Sequence, residues 1–436
     1  MSKTDDIRPR HYKLIKGLIR RNKKDVSQTF REKRSFGSLF NDLLPPKPKE
    51  PSLVSSFEGS IETILFTIPK YVVNDLEYAY VDLIQKLPPY VELILLVHES
   101  VKDNVKEWMK NNAKNKNIII PFPDHIHFSV WAEDGYVAAI DKSTNLTYFI
   151  EPHVFLRYGD SLIADYVSNS IGNLLDTQAP LYFQGGNLLI GDDFFFIGSD
   201  YPAESLQYIQ DVLIPSPGES RKNFIRRLYN EYLDVKKRVI YIGSNLPVPS
   251  EKEHEIFING YKWTEILYYG NKEGTMQPLF HIDMFITLVG RNDNGKFQVL
   301  VGDPSLAFKI LGKPLPVHSM QNIFDNIAKN LNNIGFDVIR NPLPLVYMDD
   351  TQRRERIWYF ATSNNALVQN SKDKGKIVWL PTYGHGNWTE LIATDNANVA
   401  IWKDLGYEVR TLSDFHPFAE NLGAVHCIKK YLKRGI

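Results

Sequence analysis

Three short and almost wholly apolar runs set the architecture of this chain: IETILFTIP (61–69), VELILLVHE (91–99) and NIIIPFP (117–123). Runs of this length and composition read as buried strands. Between the first two, VVNDLEYAYVDLIQKL (72–87) places apolar residues at helical spacing. Further helices are expected over 161–175, 218–236, 320–334 and 388–405. After residue 128 the β segments take the form of hairpins. AAIDKSTNLTYFI (138–150) turns at Lys142–Asn145, NLLIGDDFFFIG (187–198) at Gly191–Asp193, and MFITLVGRNDNGKFQVLVG (284–302) at Asn292–Gly295. Strands follow at 356–361, 376–380 and 407–411. No repeat is legible residue by residue, but a hairpin-plus-helix unit recurs. The class is α/β or α+β.

Of 436 residues, 43% are hydrophobic and 23% charged, the balance of a globular protein with a sizeable core. Lys+Arg and Asp+Glu are equal at 51 each, so global charge points to no nucleic-acid or membrane partner. No apolar run approaches the roughly 18 residues of a membrane helix. The first residues lack the apolar core of a secretory signal. One cysteine, Cys427, excludes an intramolecular disulfide and a thiolate-rich zinc site, which fits a reducing, cytoplasmic setting. Residues 1–50 hold fourteen Lys/Arg against six Asp/Glu and lead into the proline-rich LLPPKPKEPS. Residues 1–54 are therefore read as a basic extension and linker, and 55–436 as one folded domain. Oligomeric state is not legible.

Several motifs carry little. NDNGK (292–296) lacks the remaining ligands of a calcium loop, and a hairpin turn explains it. His125 and His127 in DHIHF have no third ligand nearby in sequence. YGHGNW (383–388) is accounted for by turn chemistry. Neither a phosphate-binding P-loop nor an HExxH pair is present.

Three places break the rule that strands bury apolar residues. SVWAEDGYVAA (129–139) carries Glu133 and Asp134 just after Trp131. PLFHIDMFITLV (278–289) sets His281 and Asp283 two apart at the mouth of an apolar strand, hence on one face. YFQGGNLLI (182–190) is interrupted by Gly185 and Gly186, a mark of close approach by a backbone or ligand. Two carboxylates, an imidazole and the lone thiol match one chemistry, attack by a thiolate on a guanidinium carbon. The carboxylates grip the planar cation, the cysteine adds to its central carbon, and the imidazole moves protons. A cysteine protease fits poorly, because the thiol follows the histidine and lies too near the end for a helix to come after it.

The order Trp-x-x-Asp, Gly-Gly-Asn, His-x-Asp and C-terminal Gly-x-x-His-Cys resembles the guanidine-modifying (pentein) superfamily over roughly 130–430. The ending LGYEVRTLSDFHPFAENLGAVHC is most similar to the catalytic domain of peptidylarginine deiminases. The resemblance implies a five-bladed pseudo-symmetric α/β propeller. It implies Asp134 and Asp283 as guanidinium ligands, His281 as general acid/base and Cys427 as nucleophile. Trp131, Asn365 and Gly186 would contact substrate, with Asn364 an alternative to Asn365. The implied reaction is hydrolysis of peptide- or protein-bound arginine to citrulline and ammonia. The alternatives are a deiminase or amidinotransferase for a small guanidino compound such as agmatine or arginine, and a non-catalytic propeller used for binding. No cofactor is called for; calcium, which vertebrate peptidylarginine deiminases need, finds no complete ligand set in the sequence. The chain departs from the pattern in three places. Gln184 replaces an acid before Gly-Gly, Glu133-Asp134-Gly135-Tyr136 replaces Arg-Asp-Gly-Pro, and Ile428-Lys429-Lys430 follows the cysteine.

Overall fold

The computed structural model describes residues 7, 8, 33, 47–209 and 213–435. Most of the basic extension lies outside the described residues. The described strands form six open, mixed sheets of three or four strands, an α/β arrangement. Contacts group the chain into two compact units.

One unit holds the described residues between 47 and 241, Gln369–Lys374 and 426–435. Its first sheet is built from the three apolar runs. Ser60–Ile68 is parallel to Glu92–His98, and that strand is parallel to Asn117–Phe122. The last strand of the chain, Lys429–Gly435, adds antiparallel to Ser60–Ile68, with Phe66 opposite Lys429. That register matters. Lys429 enters the sheet at the carboxyl end of the parallel strands, the same end from which the chain leaves Asn117–Phe122 towards Trp131 and Asp134. The expected helix over 72–87 is two, Lys70–Asp75 and Glu77–Lys86, broken where Leu76 leaves helical geometry.

In the second sheet the hairpin Val137–Asp141/Thr147–Glu151 forms as expected. The Asp141 carboxylate accepts hydrogen bonds from the backbone and hydroxyl of Ser143 and closes the turn. The helix expected over 161–175 stops at Ser170, and Leu174–Gln178 returns as a strand parallel to Thr147–Glu151. Pro51–Leu53, inside the stretch read as linker, is an edge strand on Val137–Asp141. Proline is tolerated at the first residue of such a strand, where no donor is needed.

The other unit comprises Ile242–Val368 and Gly375–Val425 with the docked residues Ile7 and Arg8. The Arg8 guanidinium donates to Glu390 at 2.7 Å, its N–H donates to the Asp349 carboxylate at 2.7 Å, and its carbonyl accepts the Asp349 N–H at 2.6 Å. The hairpin Ile286–Arg291/Phe297–Asp303 forms as expected, and Asp337–Pro342 joins it in parallel. The intervening helix Gln321–Asn333 buries Ile323, Phe324, Ile327, Ala328 and Leu331, one stripe at helical spacing.

Candidate active site

In each unit the candidate residues lie in loops at strand ends. In the first unit Glu133 and Asp134 do not lie in a strand; they occupy a turn that precedes Val137–Asp141. Cys427 likewise sits in a turn, directly before Lys429–Gly435, and is 1% exposed. Two polar residues in a row suit a turn, because a strand would force one onto the apolar face.

Backbone hydrogen bonds join three segments far apart in sequence. The Glu133 N–H donates to the Cys427 carbonyl at 3.1 Å, and the Gly185 N–H donates to the Asp134 carbonyl at 3.1 Å. Gly185, Gly186 and Asn187 form one buried 3-10 turn. A Cβ on Gly185 would lie 1.9 Å from the Glu133 carbonyl oxygen and 2.7 Å from Lys430 Nζ. The close approach read from the Gly-Gly pair is therefore real, and its partner is the Glu133–Asp134 turn. Trp131, buried beside it, donates its N–H to Ser129 Oγ at 3.2 Å.

Charge organises the rest of this half. The Glu133 carboxylate accepts from Lys429 Nζ at 2.7 Å and Lys430 Nζ at 2.8 Å, and Lys430 also reaches the Glu133 carbonyl at 2.9 Å. Burial alone would raise the Glu133 carboxyl, but the two ammonium groups hold it down to about 2. Burial pushes Lys429 down to about 8, because one carboxylate shared between two lysines offsets only part of its desolvation.

Sequence reasoning missed Arg157. Its guanidinium donates to Asp134 Oδ2 at 2.6 Å and pairs through Nε with Asp160 Oδ2 at 2.6 Å. Asp160 is tied in turn to the N–H and hydroxyl of Ser129, both at 2.6 Å. Burial pushes the Asp160 carboxyl up in spite of these donors. The available signal was an arginine three residues before an aspartate in the apolar VFLRYGD. Replacing Arg157 by alanine strands two buried carboxylates, and we expect a loss of about 3 kcal/mol in urea unfolding. Lysine at 157 should restore part of it, since one ammonium lacks the fork that spans both acids.

The second unit holds His281, Asp283 and Asn365. The apolar strand at whose mouth His281 and Asp283 are placed begins at Ile286; Ile282–Met284 is a 3-10 turn with His281 in extended geometry at its start. The shared strand face inferred for His281 and Asp283 does not arise, because the intervening turn is helical. Both side chains are buried, and the imidazole stacks on Phe280 with ring centroids 4.0 Å apart. Thr362 Oγ1 anchors this turn by donating to the Met284 carbonyl at 2.6 Å. Asn364 and Asn365 have different duties. Asn364 exchanges amide hydrogen bonds with Asn341 at 3.0 and 3.1 Å, a scaffold role. Asn365 Oδ1 accepts the Ala424 N–H at 3.0 Å, so it steadies the segment that leads to Cys427.

No described protein family matches the chain, and neither does any curated relative. Solved structures do. The fold is similar to that of solved agmatine deiminases. A putative agmatine deiminase superposes with a TM-score of 0.59 at 13% identity, over 88% of this chain and 96% of that one. The agmatine deiminase of Enterococcus faecalis gives 0.57 at 13% identity, over 90% and 99%. That of C. jejuni gives 0.56 at 12%, over 88% and 96%.

Proposed function

We propose that this protein hydrolyses the guanidino group of a small compound of the agmatine type, giving a ureido product and ammonia. The observation that carries the reading is the backbone union of the Trp131–Asp134 turn, the Gly185–Asn187 turn and the Cys427 turn. In sequence these segments are marked by the Glu133–Asp134 carboxylates, the Gly185–Gly186 interruption and the lone thiol of Cys427. The solved neighbours, by their titles, are agmatine deiminases. That favours the small-substrate alternative over protein-bound arginine.

In this reading Asp134 and Asp283 hold the planar cation by charge-assisted hydrogen bonds. Cys427 adds as thiolate to the guanidinium carbon, forming a C–S bond. The C–N bond to one terminal nitrogen then breaks, and His281 donates the proton with which ammonia leaves. His281 next takes a proton from water, the oxygen adds to the thiouronium carbon, and the C–S bond breaks to regenerate the thiolate. Trp131 flanks the methylene chain, while Asn365 and Gly186 complete the contacts. Water is the only co-reactant, so the reaction needs no cofactor.

Ammonia release and product mass, measured with agmatine, free arginine and an acylated arginine amide, test the reading. The highest kcat/KM is expected for agmatine or free arginine. A higher value for the blocked arginine would restore the protein-directed reading, and no turnover of any guanidine would remove the enzyme reading altogether.

A further inference from the structure

Two of the departures from the guanidine-modifying pattern are halves of one buried interaction. Glu133 precedes Asp134, and Lys429 and Lys430 follow Cys427 by two and three residues. Four hydrogen bonds fasten the two turns together. Three come from lysine ammonium groups at 2.7, 2.8 and 2.9 Å, and the fourth runs from the Glu133 N–H to the Cys427 carbonyl at 3.1 Å. The lysine side chains are 0% and 4% exposed, so water competes little for these contacts. Charge-assisted bonds of this kind are roughly twice as strong as neutral ones. Lys429 Nζ also lies 3.9 Å from the ring centroid of Tyr431, which restrains its stem. Gly185 runs beneath the cluster with no room for a side chain.

We propose that Glu133, Lys429 and Lys430 form a positioning clamp that fixes the turn bearing Cys427 against the turn bearing Asp134. The proposal rests on the reading of Cys427 as nucleophile and Asp134 as guanidinium ligand. The three residues act through those two. A nucleophile displaced by about 1 Å loses roughly 10²-fold in rate while the cation is still gripped, so the clamp acts on kcat more than on KM.

Cys427 is the only cysteine, so iodoacetamide reports on it alone. Alkylation without substrate and agmatine kinetics are measured in wild type, Lys429→Met and Glu133→Gln. We expect alkylation to rise about tenfold in both variants as the buried thiol gains access, with kcat lowered about 10- to 100-fold and KM little changed. Lys429→Arg should restore both quantities. The two substitutions alter local charge in opposite senses, so alkylation shifts of opposite sign would overturn the clamp in favour of simple charge tuning. Wild-type alkylation and kcat in both variants would overturn it as well. If Glu133→Gln does not fold, the double variant Glu133→Gln/Lys429→Met replaces it, since its net charge equals that of wild type. Failure of the parent reading looks different: Cys427→Ala would then keep its turnover, while the alkylation rates would still decide the clamp.

Discussion

Replacing Cys427 by alanine should abolish guanidine hydrolysis, a loss of roughly 10⁴-fold or more, because no other group can form the covalent intermediate. The fold should survive. Cys427 contributes a small buried side chain in a turn, and its hydrogen bond with Glu133 is made by the backbone. Ammonia release under saturating agmatine reads the first effect, and the thermal midpoint reads the second. Alanine leaves Asp134 in place, so binding of agmatine by calorimetry should persist. Equal turnover in variant and wild type would be incompatible with a covalent mechanism through Cys427.

Gly185→Ala should be the next most damaging single change, although it adds only one methyl group. That carbon would stand 1.9 Å from a backbone carbonyl oxygen, a group that cannot rotate aside. The Glu133–Asp134 turn must move, and with it the hydrogen bonds to Cys427 and the contacts of Lys430. We expect about 1–3 kcal/mol of destabilisation from overpacking and roughly 10²-fold lower kcat/KM. Gly172→Ala is the matched control, because a Cβ there meets nothing within 4 Å. Urea unfolding and steady-state kinetics on both variants separate a local collision from a general intolerance of substitution.

What the sequence disclosed follows burial. The apolar runs of the first sheet and the three hairpins after residue 128 lie where their patterns put them, because burial leaves a periodic trace. Asn117–Phe122, however, is an edge strand that exposes Asn117, Ile118 and Pro121 rather than a buried one. The strands Lys252–Ile258 and Tyr261–Leu267 escaped notice. Most of the first is exposed and charged, so it carries no apolar period. The Asn259-Gly260 pair at their turn was the available signal. At the site, residue types were legible and local geometry was not. Glu133, Asp134, His281 and Asp283 lie in turns rather than strands, and short apolar neighbours disguised the difference. The pairing of Glu133 with Lys429 and Lys430 was invisible for another reason. Each partner, read alone, is an isolated charged residue, and only the folded backbone, with the Glu133 N–H on the Cys427 carbonyl, brings them together.

The central claim is that Cys427 becomes covalently attached to the guanidinium carbon. Rapid acid quenching during the first turnover with agmatine, followed by mass analysis of the peptide that ends the chain, addresses it directly. The account predicts an N-alkylthiouronium adduct on Cys427, substrate less ammonia, that forms and decays with the reaction and is absent from Cys427→Ala. Complete turnover with the Cys427 peptide unmodified at every quench time, or with the adduct on another residue, would contradict it.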